Sequence, residues 1–183
     1  PVVLSPAAAG IFAHESFGHK SESDFMLGDE TMKKEWTLGK EVASPILSIY
    51  DTGTVPGAGY VPYDDEGTKM KKTYLIKDGV LSGRLHSAKT AAELGEELTG
   101  NARAINCDYE PIVRMTTTLI EGRGNDTKDD LISRIKYGFF IKNCKHGSGM
   151  STFTIAPNVA YRIENGKITT PVKIAVISGN VFD

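Results

Sequence analysis

Apolar and polar residues alternate along most of this chain, which is the pattern of half-buried β-strands. Asp78–Gly79 and Asn165–Gly166 lie between such alternating segments and predict tight β-hairpins. Because a hairpin joins antiparallel strands, the sheet should be mainly antiparallel. We predict strands over residues 1–4, 45–50, 73–76, 80–85, 112–121, 137–141, 151–155, 159–164 and 172–178.

Helical segments interrupt these strands. Ser5 and Pro6 suit the N-cap and first turn of a helix, and the alanines that follow favour a helix that carries His14 and His19. Further helical character is predicted over residues 29–42, 87–98 and 128–135. The fold class is therefore α+β, with a mostly antiparallel β-sheet, two to four helices and a single domain over residues 1–183.

Two polar stretches between these elements are predicted to be irregular. Residues 145–150 are Gly-rich and include His146, Gly147 and Gly149, so we predict a loop. Residues 64–66 are three adjacent carboxylates, which could hold a cation but are more typical of a solvated turn.

Composition excludes several classes of function. Hydrophobic residues make up 40% of the chain and the formal net charge is −2, so no overall field favours nucleic acid or an anionic membrane. Residues 1–13 are apolar but lack a basic start and are too short to span a bilayer. Cys107 and Cys144 are too few for a disulfide framework, which favours a cytoplasmic protein. Together, charge, hydropathy and cysteine content predict a protein without direct nucleic acid or membrane binding.

The segment His14–Glu15–Ser16–Phe17–Gly18–His19 holds the strongest candidate chemistry. Imidazole is a common zinc ligand, and a glutamate beside zinc ligands can serve as the general base of a hydrolase. Zinc proteases usually space these histidines four residues apart on one helix face, whereas here the spacing is five.

The longer spacing makes a specific structural demand. On a regular α-helix, five residues rotate the second side chain by roughly 140° from the first, so the two rings would diverge. A shared ion requires a helix that is locally wound wider, as in a π-bulge, or one that ends between His14 and His19. Gly18 would ease either distortion.

Other polar residues have weaker claims. Glu22 lies three residues after His19, so it is the candidate third ligand within this chain or a group that orients His19. For His86 we favour capping or packing over ligation, and for Trp36 a place in the core or an interface. Arg114 could hold a carboxylate or be a surface charge.

The motif and several other segments together resemble one family. They are the His-Glu motif with Glu22 and Asp24, the Thr-Gly-Asn-Ala-Arg-Ala stretch at residues 99–104, and the closing Ile-Glu-Asn-Gly-Lys-Ile-Thr-Thr-Pro-Val at residues 163–172. The chain resembles the C-terminal domain of the TldD/PmbA family, often labelled modulator of DNA gyrase, nearly from end to end.

This resemblance implies a zinc-dependent peptidase that acts on unfolded or extended peptides. His14 and His19 match the two ligand histidines, and Glu15 matches the catalytic glutamate. The family works as a homodimer or as a heterodimer with a paralogous subunit, and the intact motif makes this chain similar to the TldD-type subunit.

Two departures from the family bear on the metal. Family members have an N-terminal domain and a third ligand, a cysteine in a Gly-rich segment that would lie beyond Asp183. We therefore expect a fragment that binds zinc poorly and is inactive without that ligand. Lys20 and Ser21 also replace the small or apolar residues usual after the second histidine, and the charge of Lys20 would oppose a metal unless it points away.

Two alternatives remain open at this point. The domain could be a non-catalytic peptide-binding or scaffold subunit of a heteromeric protease, which a regular helix through Gly18 would favour. It could instead hold a structural metal, but that requires two further ligands, and no second close pair of cysteines or histidines offers them.

Overall fold

The computed structural model describes residues 1–181, in which the chain forms two compact units. The first contains Pro1–Ser16 and Gly122–Val181, and the second contains Phe17–Glu121. The expectation of a single domain over residues 1–183 stays a prediction.

The strands are β1 (Val2–Leu4), β2 (Ile49–Asp51), β3 (Thr73–Lys77), β4 (Val80–Leu81), β5 (Ala102–Arg103), β6 (Ile112–Val113), β7 (Thr118–Ile120), β8 (Tyr137–Gly149), β9 (Thr152–Glu164), β10 (Lys167–Val172) and β11 (Ile177–Asn180). The α-helices are α1 (Pro6–Ala13), α2 (Glu30–Glu35), α3 (Ala88–Leu94) and α4 (Lys128–Ser133).

The first unit is built on a five-stranded sheet in the order β1-β8-β9-β10, with β11 also paired to β9. All pairs are antiparallel except β1 with β8. Helix α1 begins after Ser5, whose hydroxyl accepts a hydrogen bond from the Ala8 amide at 3.2 Å. Ala8 then packs in a core cluster with Ile141 and Ile155, which fixes α1 against the sheet.

Strands β8 and β9 correct two sequence predictions. Residues 145–150, predicted as a loop, are strand through Gly149, and β9 continues where two shorter strands were predicted. Each strand has 13 residues, and the pairing shifts register between Ile141 and His146, opposite Pro157. These bulges let the ladder pass a residue that has no amide proton, so pairing with the partner strand outweighs the local glycine and proline signals.

The second unit contains a four-stranded antiparallel sheet in the order β4-β3-β2-β7 and a two-stranded pair, β5 with β6. The predicted hairpin at Asp78–Gly79 is present, and both residues have positive φ, 53° and 81°. The predicted strand over residues 112–121 is two short strands. They are separated because the amides of Met115 and Thr116 donate to side-chain carboxylates of Glu22 and Asp51 rather than to a neighbouring strand.

The predicted fold class is confirmed, since the described residues combine four α-helices with mostly antiparallel sheets. Helices α3 and α4 begin at capping boxes, in which Ser87 pairs with Thr90 and Thr127 pairs with Asp130. Helix α3 ends at Gly95, which has left-handed geometry, so it stops earlier than predicted. Within residues 1–181, every helix falls short of the length and apolar character that a bilayer crossing needs.

Candidate metal centre

The helix that begins at Pro6 changes its winding where the His-Glu motif begins. It is α-helical to Ala13, a π-helix over His14–Gly18 and a 3₁₀ turn over His19–Ser21. In a π-helix the backbone bonds link residues five apart, so residues with this spacing lie on the same face. The wider winding that the histidine spacing demands is therefore present.

This winding gathers the three motif side chains. One ligand atom each from His14, Glu15 and His19 lies within 4.8 Å of the others, and all three residues are half-buried. Two imidazoles and a carboxylate are donors that zinc accepts. The residues present therefore fit a zinc ion, and among residues 1–181 they are the one group of such ligands.

Gly18 has a role that differs from the predicted one. Its φ and ψ are −63° and −61°, which any residue can adopt, so the distortion does not need glycine's backbone freedom. A methyl group at this position would lie only 2.0 Å from Sδ of Met115. Glycine here lets the Met115 side chain pack directly on the helix backbone, and a larger residue would have to displace that side chain.

Glu22 contacts His19 and is fully buried. Its Oε2 lies 3.0 Å from Nδ1 of His19 and 3.4 Å from Nη1 of Arg114, and its Oε1 accepts the Met115 amide at 3.3 Å. Carboxylate contact at one ring nitrogen fixes the tautomer and orientation of a histidine. Arg114, for which the sequence left a surface position open, therefore faces the buried carboxylate of Glu22.

Asp24 adds a second acidic group beside Glu22. Its Oδ2 accepts the Val113 amide at 3.2 Å, while Oδ1 is buried with no hydrogen-bond partner in the described part of the chain. Burial, followed by the charge of Glu22, raises the pKa of Asp24 above its ordinary value. Asp24 therefore holds the backbone of β6, and Glu22 holds the backbone just after it.

The positive charge of Lys20 is paired with a carboxylate. The residue is fully buried, and Nζ lies 3.1 Å from Oε2 of Glu35 and 5.4 Å from the centre of the Trp36 ring. The ammonium group is thus directed to a carboxylate and an aromatic face. Trp36 is itself fully buried and donates from Nε1 to Oγ of Ser21 at 3.1 Å, as expected of a core residue.

The whole chain, residues 1–183, matches the family model of the PmbA/TldA metallopeptidase C-terminal domain. The chain belongs to this family. The resemblance deduced from the motifs is confirmed, and the protein is a member of a metalloprotease family.

Named relatives agree with this assignment, and a solved structure has the same fold. A metalloprotease of Synechocystis sp. is 44% identical over the whole chain, which covers 40% of that protein. A zinc metalloprotease TldD homologue of Saccharolobus solfataricus is 34% identical over the whole chain, which covers 41% of it. TldE of Thermococcus kodakarensis has the same fold, with a TM-score of 0.76 and 24% identity over the whole chain and 44% of that structure. The chain thus spans about two-fifths of the length of these curated relatives.

The remaining candidates of this PmbA/TldA domain serve the fold. His86 is buried, with Nδ1 at 3.1 Å from Thr90 and Nε2 at 3.0 Å from Glu96, as the packing interpretation expected. Asp65 and Glu66 form an exposed turn, as predicted, whereas Asp64 is buried. The three carboxylates also accept backbone amides from other segments, which ties this turn to the fold. Cys144 lies in the core of the first unit, and burial raises the pKa of its thiol, which disfavours the thiolate that zinc binds.

Sequence reasoning missed the contacts that surround the motif. Neither Met115 nor Arg114 carries a local pattern that points to residues near position 20. Both contacts arise from pairing across about 90 residues of chain, as the separation of 92 between Glu22 and Arg114 illustrates. A signal for them would have required knowledge of which segments the fold brings together.

Proposed function

We propose that this domain is the zinc-binding part of a peptidase that acts on unfolded or extended peptides. His14 and His19 hold the zinc, and Glu15 is the general base. The observation that carries the proposal is the π-helical turn, which brings ligand atoms of all three residues within 4.8 Å. When bound, zinc supplies Lewis-acid activation of water and of the scissile carbonyl.

Glu15 transfers the proton in this proposal. Its carboxylate removes a proton from the attacking water and later delivers it to the departing amine, as a general base and then a general acid. The residue directly follows a ligand histidine and shares the ligand group with it, so its carboxylate is within reach of the reacting centre. An extended substrate would dock by pairing with an exposed strand edge, which gives weak sequence preference.

We assign Glu22 to orienting His19 rather than to binding the metal. Its contact with Nδ1 supports this role, because Nε2 is then the nitrogen assigned to zinc. Arg114 and the Met115 amide hold the same carboxylate in place. A catalytic site needs a third protein ligand, and we propose that the full-length protein supplies it.

The proposal extends to partners and compartment. We propose that the full-length protein works as a homodimer or a heterodimer with a paralogue, in the cytoplasm, where the unpaired Cys107 and Cys144 would remain reduced. TldE of Thermococcus kodakarensis has the same fold as this chain, which supports a paralogous partner subunit of the same architecture. Light scattering of the full-length protein, alone and mixed with its paralogue, would distinguish the two assemblies.

The competing interpretations lose their main support. A peptide-binding scaffold with vestigial histidines predicts a regular helix through Gly18, whereas the helix is π-wound there. A structural zinc site would need a closed set of four ligands, and the described residues gather three candidate groups.

The decisive variant is Glu15→Gln in the full-length protein, with Glu93→Gln on the exposed face of α3 as a matched control. We expect Glu15→Gln to retain zinc and to lose cleavage of an unfolded polypeptide by at least about 100-fold, because a general base contributes that much. Zinc content and cleavage rate are measured together. Unchanged cleavage in Glu15→Gln would reject the proposed role of Glu15.

A further inference from the structure

Two glycines of β8 lie against Glu15. A methyl group added at Gly147 would lie 2.7 Å from Cγ and 3.3 Å from Cδ of Glu15, and 3.0 Å from Cγ2 of Ile11. A methyl group added at Gly149 would lie 2.7 Å from the carbonyl oxygen of Glu15. All of these residues belong to the first unit, so the contacts are internal to it.

The positions of these glycines along β8 explain why both reach the same helical turn. Residues two apart in a strand face the same side of the sheet, so Gly147 and Gly149 face the same way. Ile11 precedes Glu15 by one helical turn, which places both side chains over this side of the strand. At Gly147 and Gly149, β8 therefore presents only backbone atoms to the helix that carries the motif.

Backbone conformation does not require glycine at either position. Neither residue is among those with positive φ, and both lie within the regular pairing of β8 with β9, opposite Ile155 and Phe153. Glycine weakens the interior of a strand, and it is expected there when another chain segment must approach closely. The close segment here is the turn that carries Glu15.

We infer that Gly147 and Gly149 are positioning residues for the catalytic glutamate. Gly147 leaves space for the Glu15 side chain, and Gly149 lets the backbone of the π-helical turn rest on the strand. This inference depends on the proposed role of Glu15 and goes beyond it by naming what sets the position of its carboxylate.

The two glycines differ in what a substitution would displace. At Gly147 the nearest atom belongs to the flexible Glu15 side chain, so a methyl group moves that side chain while the backbone stays. At Gly149 the nearest atoms are backbone, at 2.7 and 3.2 Å, so the turn itself must shift. Gly147→Ala is therefore the specific test, and Gly149→Ala is the more disruptive one.

The experiment compares kcat, KM, zinc affinity and melting temperature in the full-length zinc-loaded protein. Gly147→Ala should lower kcat by about 10- to 100-fold, since a displacement of about 1 Å in a reacting group has this effect. KM and zinc affinity should stay within about twofold, because neither substrate contacts nor ligand histidines change. Gly10→Ala, where an added methyl group meets nothing within 4 Å, is the matched control and should leave kcat unchanged.

A double-mutant cycle separates positioning from a structural effect. Glu15→Ala removes both atoms of Glu15 that the new methyl group would approach and leaves the contact with Cγ2 of Ile11. Adding Gly147→Ala to it should therefore lower the residual rate no further, and should lower the melting temperature less than Gly147→Ala does when Glu15 is present. The cycle also serves if Gly147→Ala alone unfolds, since the melting temperature should then recover in the double variant.

Each outcome has a distinct meaning. Full activity in Gly147→Ala beside inactive Glu15→Gln would overturn this inference and leave the proposed function standing. Equal losses from Gly147→Ala with and without the Glu15 side chain would also overturn it. Full activity in Glu15→Gln would instead refute the proposed function itself.

Discussion

Two histidines in this protein contact a carboxylate at the same distance, yet their surroundings differ. His19 lies 3.0 Å from Glu22, and His86 lies 3.0 Å from Glu96. His86 is buried, and both of its ring nitrogens have partners within the fold. His19 is 30% exposed and shares a ligand group with His14 and Glu15. A histidine–carboxylate pair is thus a candidate metal site only where further ligands converge on the same ring.

The carboxylates of the two pairs differ in the same way. Glu96 is shared between His86 and Arg84, and Arg84 also donates to the Trp36 carbonyl, so the pair joins segments of the second unit. Glu22 is shared between His19, Arg114 and the Met115 amide, so it holds the motif helix to the chain after β6. The first arrangement stabilises the fold, and the second also orients a proposed ligand.

The largest predicted difference concerns zinc affinity. His19→Ala should weaken zinc binding to the full-length protein by more than about 100-fold. The reason is that losing a zinc ligand weakens binding more than losing a residue that only orients a ligand. His86→Ala should leave zinc affinity within about twofold. Competition with a chromophoric chelator measures both affinities, and equal losses in the two variants would show that His19 is no more a zinc ligand than His86.

A smaller effect on the metal is expected from the carboxylates. Glu22→Gln should weaken zinc binding by about 10- to 100-fold, since groups that orient a ligand histidine contribute this much. Glu96→Gln, the matched change at the other pair, should have no effect on zinc. If Glu22→Gln binds zinc as the unaltered protein does, Glu22 has no orienting role.

Stability should respond in the opposite sense. His86→Ala removes both buried hydrogen bonds of the ring, to Thr90 and to Glu96, which should lower the free energy of unfolding by about 1–3 kcal/mol. His19→Ala in the zinc-free protein should cost less, because His19 is partly exposed. Urea unfolding of zinc-free samples gives both values, and a greater cost for His19→Ala would contradict this ordering.

The smallest effect is a change in acid stability. Burial alone would raise the pKa of Glu96, but the hydrogen bond from His86 and the charge of Arg84 outweigh it, so the pKa is lowered. A lowered folded-state pKa contributes stability above the unfolded value of about 4.3, and this contribution is lost as pH falls through the folded pKa. Glu96→Gln should therefore flatten the loss of stability below about pH 4. An acid limb unchanged by Glu96→Gln would show that other carboxylates dominate it.

The sequence predicts features that depend on local chemistry. The hairpin at Asp78–Gly79 follows from two residues that tolerate positive φ, and the helix start at Ser5 follows from a side chain that caps a free amide. The need for wider winding follows from the spacing of His14 and His19, because ideal helix geometry separates the two rings.

Features that depend on distant partners could not be predicted. The Gly-rich end of β8 has weak strand propensity, and only its pairing with β9 makes it a strand. The reason for glycine at position 18 is the Met115 side chain, which comes from another part of the chain. The environment of Glu22 likewise depends on Arg114, 92 residues away.

X-ray absorption at the zinc edge shows whether His14 and His19 bind the same zinc ion. In the full-length zinc-loaded protein, we predict two imidazole ligands at about 2.0–2.1 Å, with one lost in His14→Ala and one lost in His19→Ala. His86→Ala should keep the spectrum of the unaltered protein. A spectrum without two imidazoles, or one that is unchanged in either motif variant, would contradict the claim that the π-helical turn joins the two histidines on one ion.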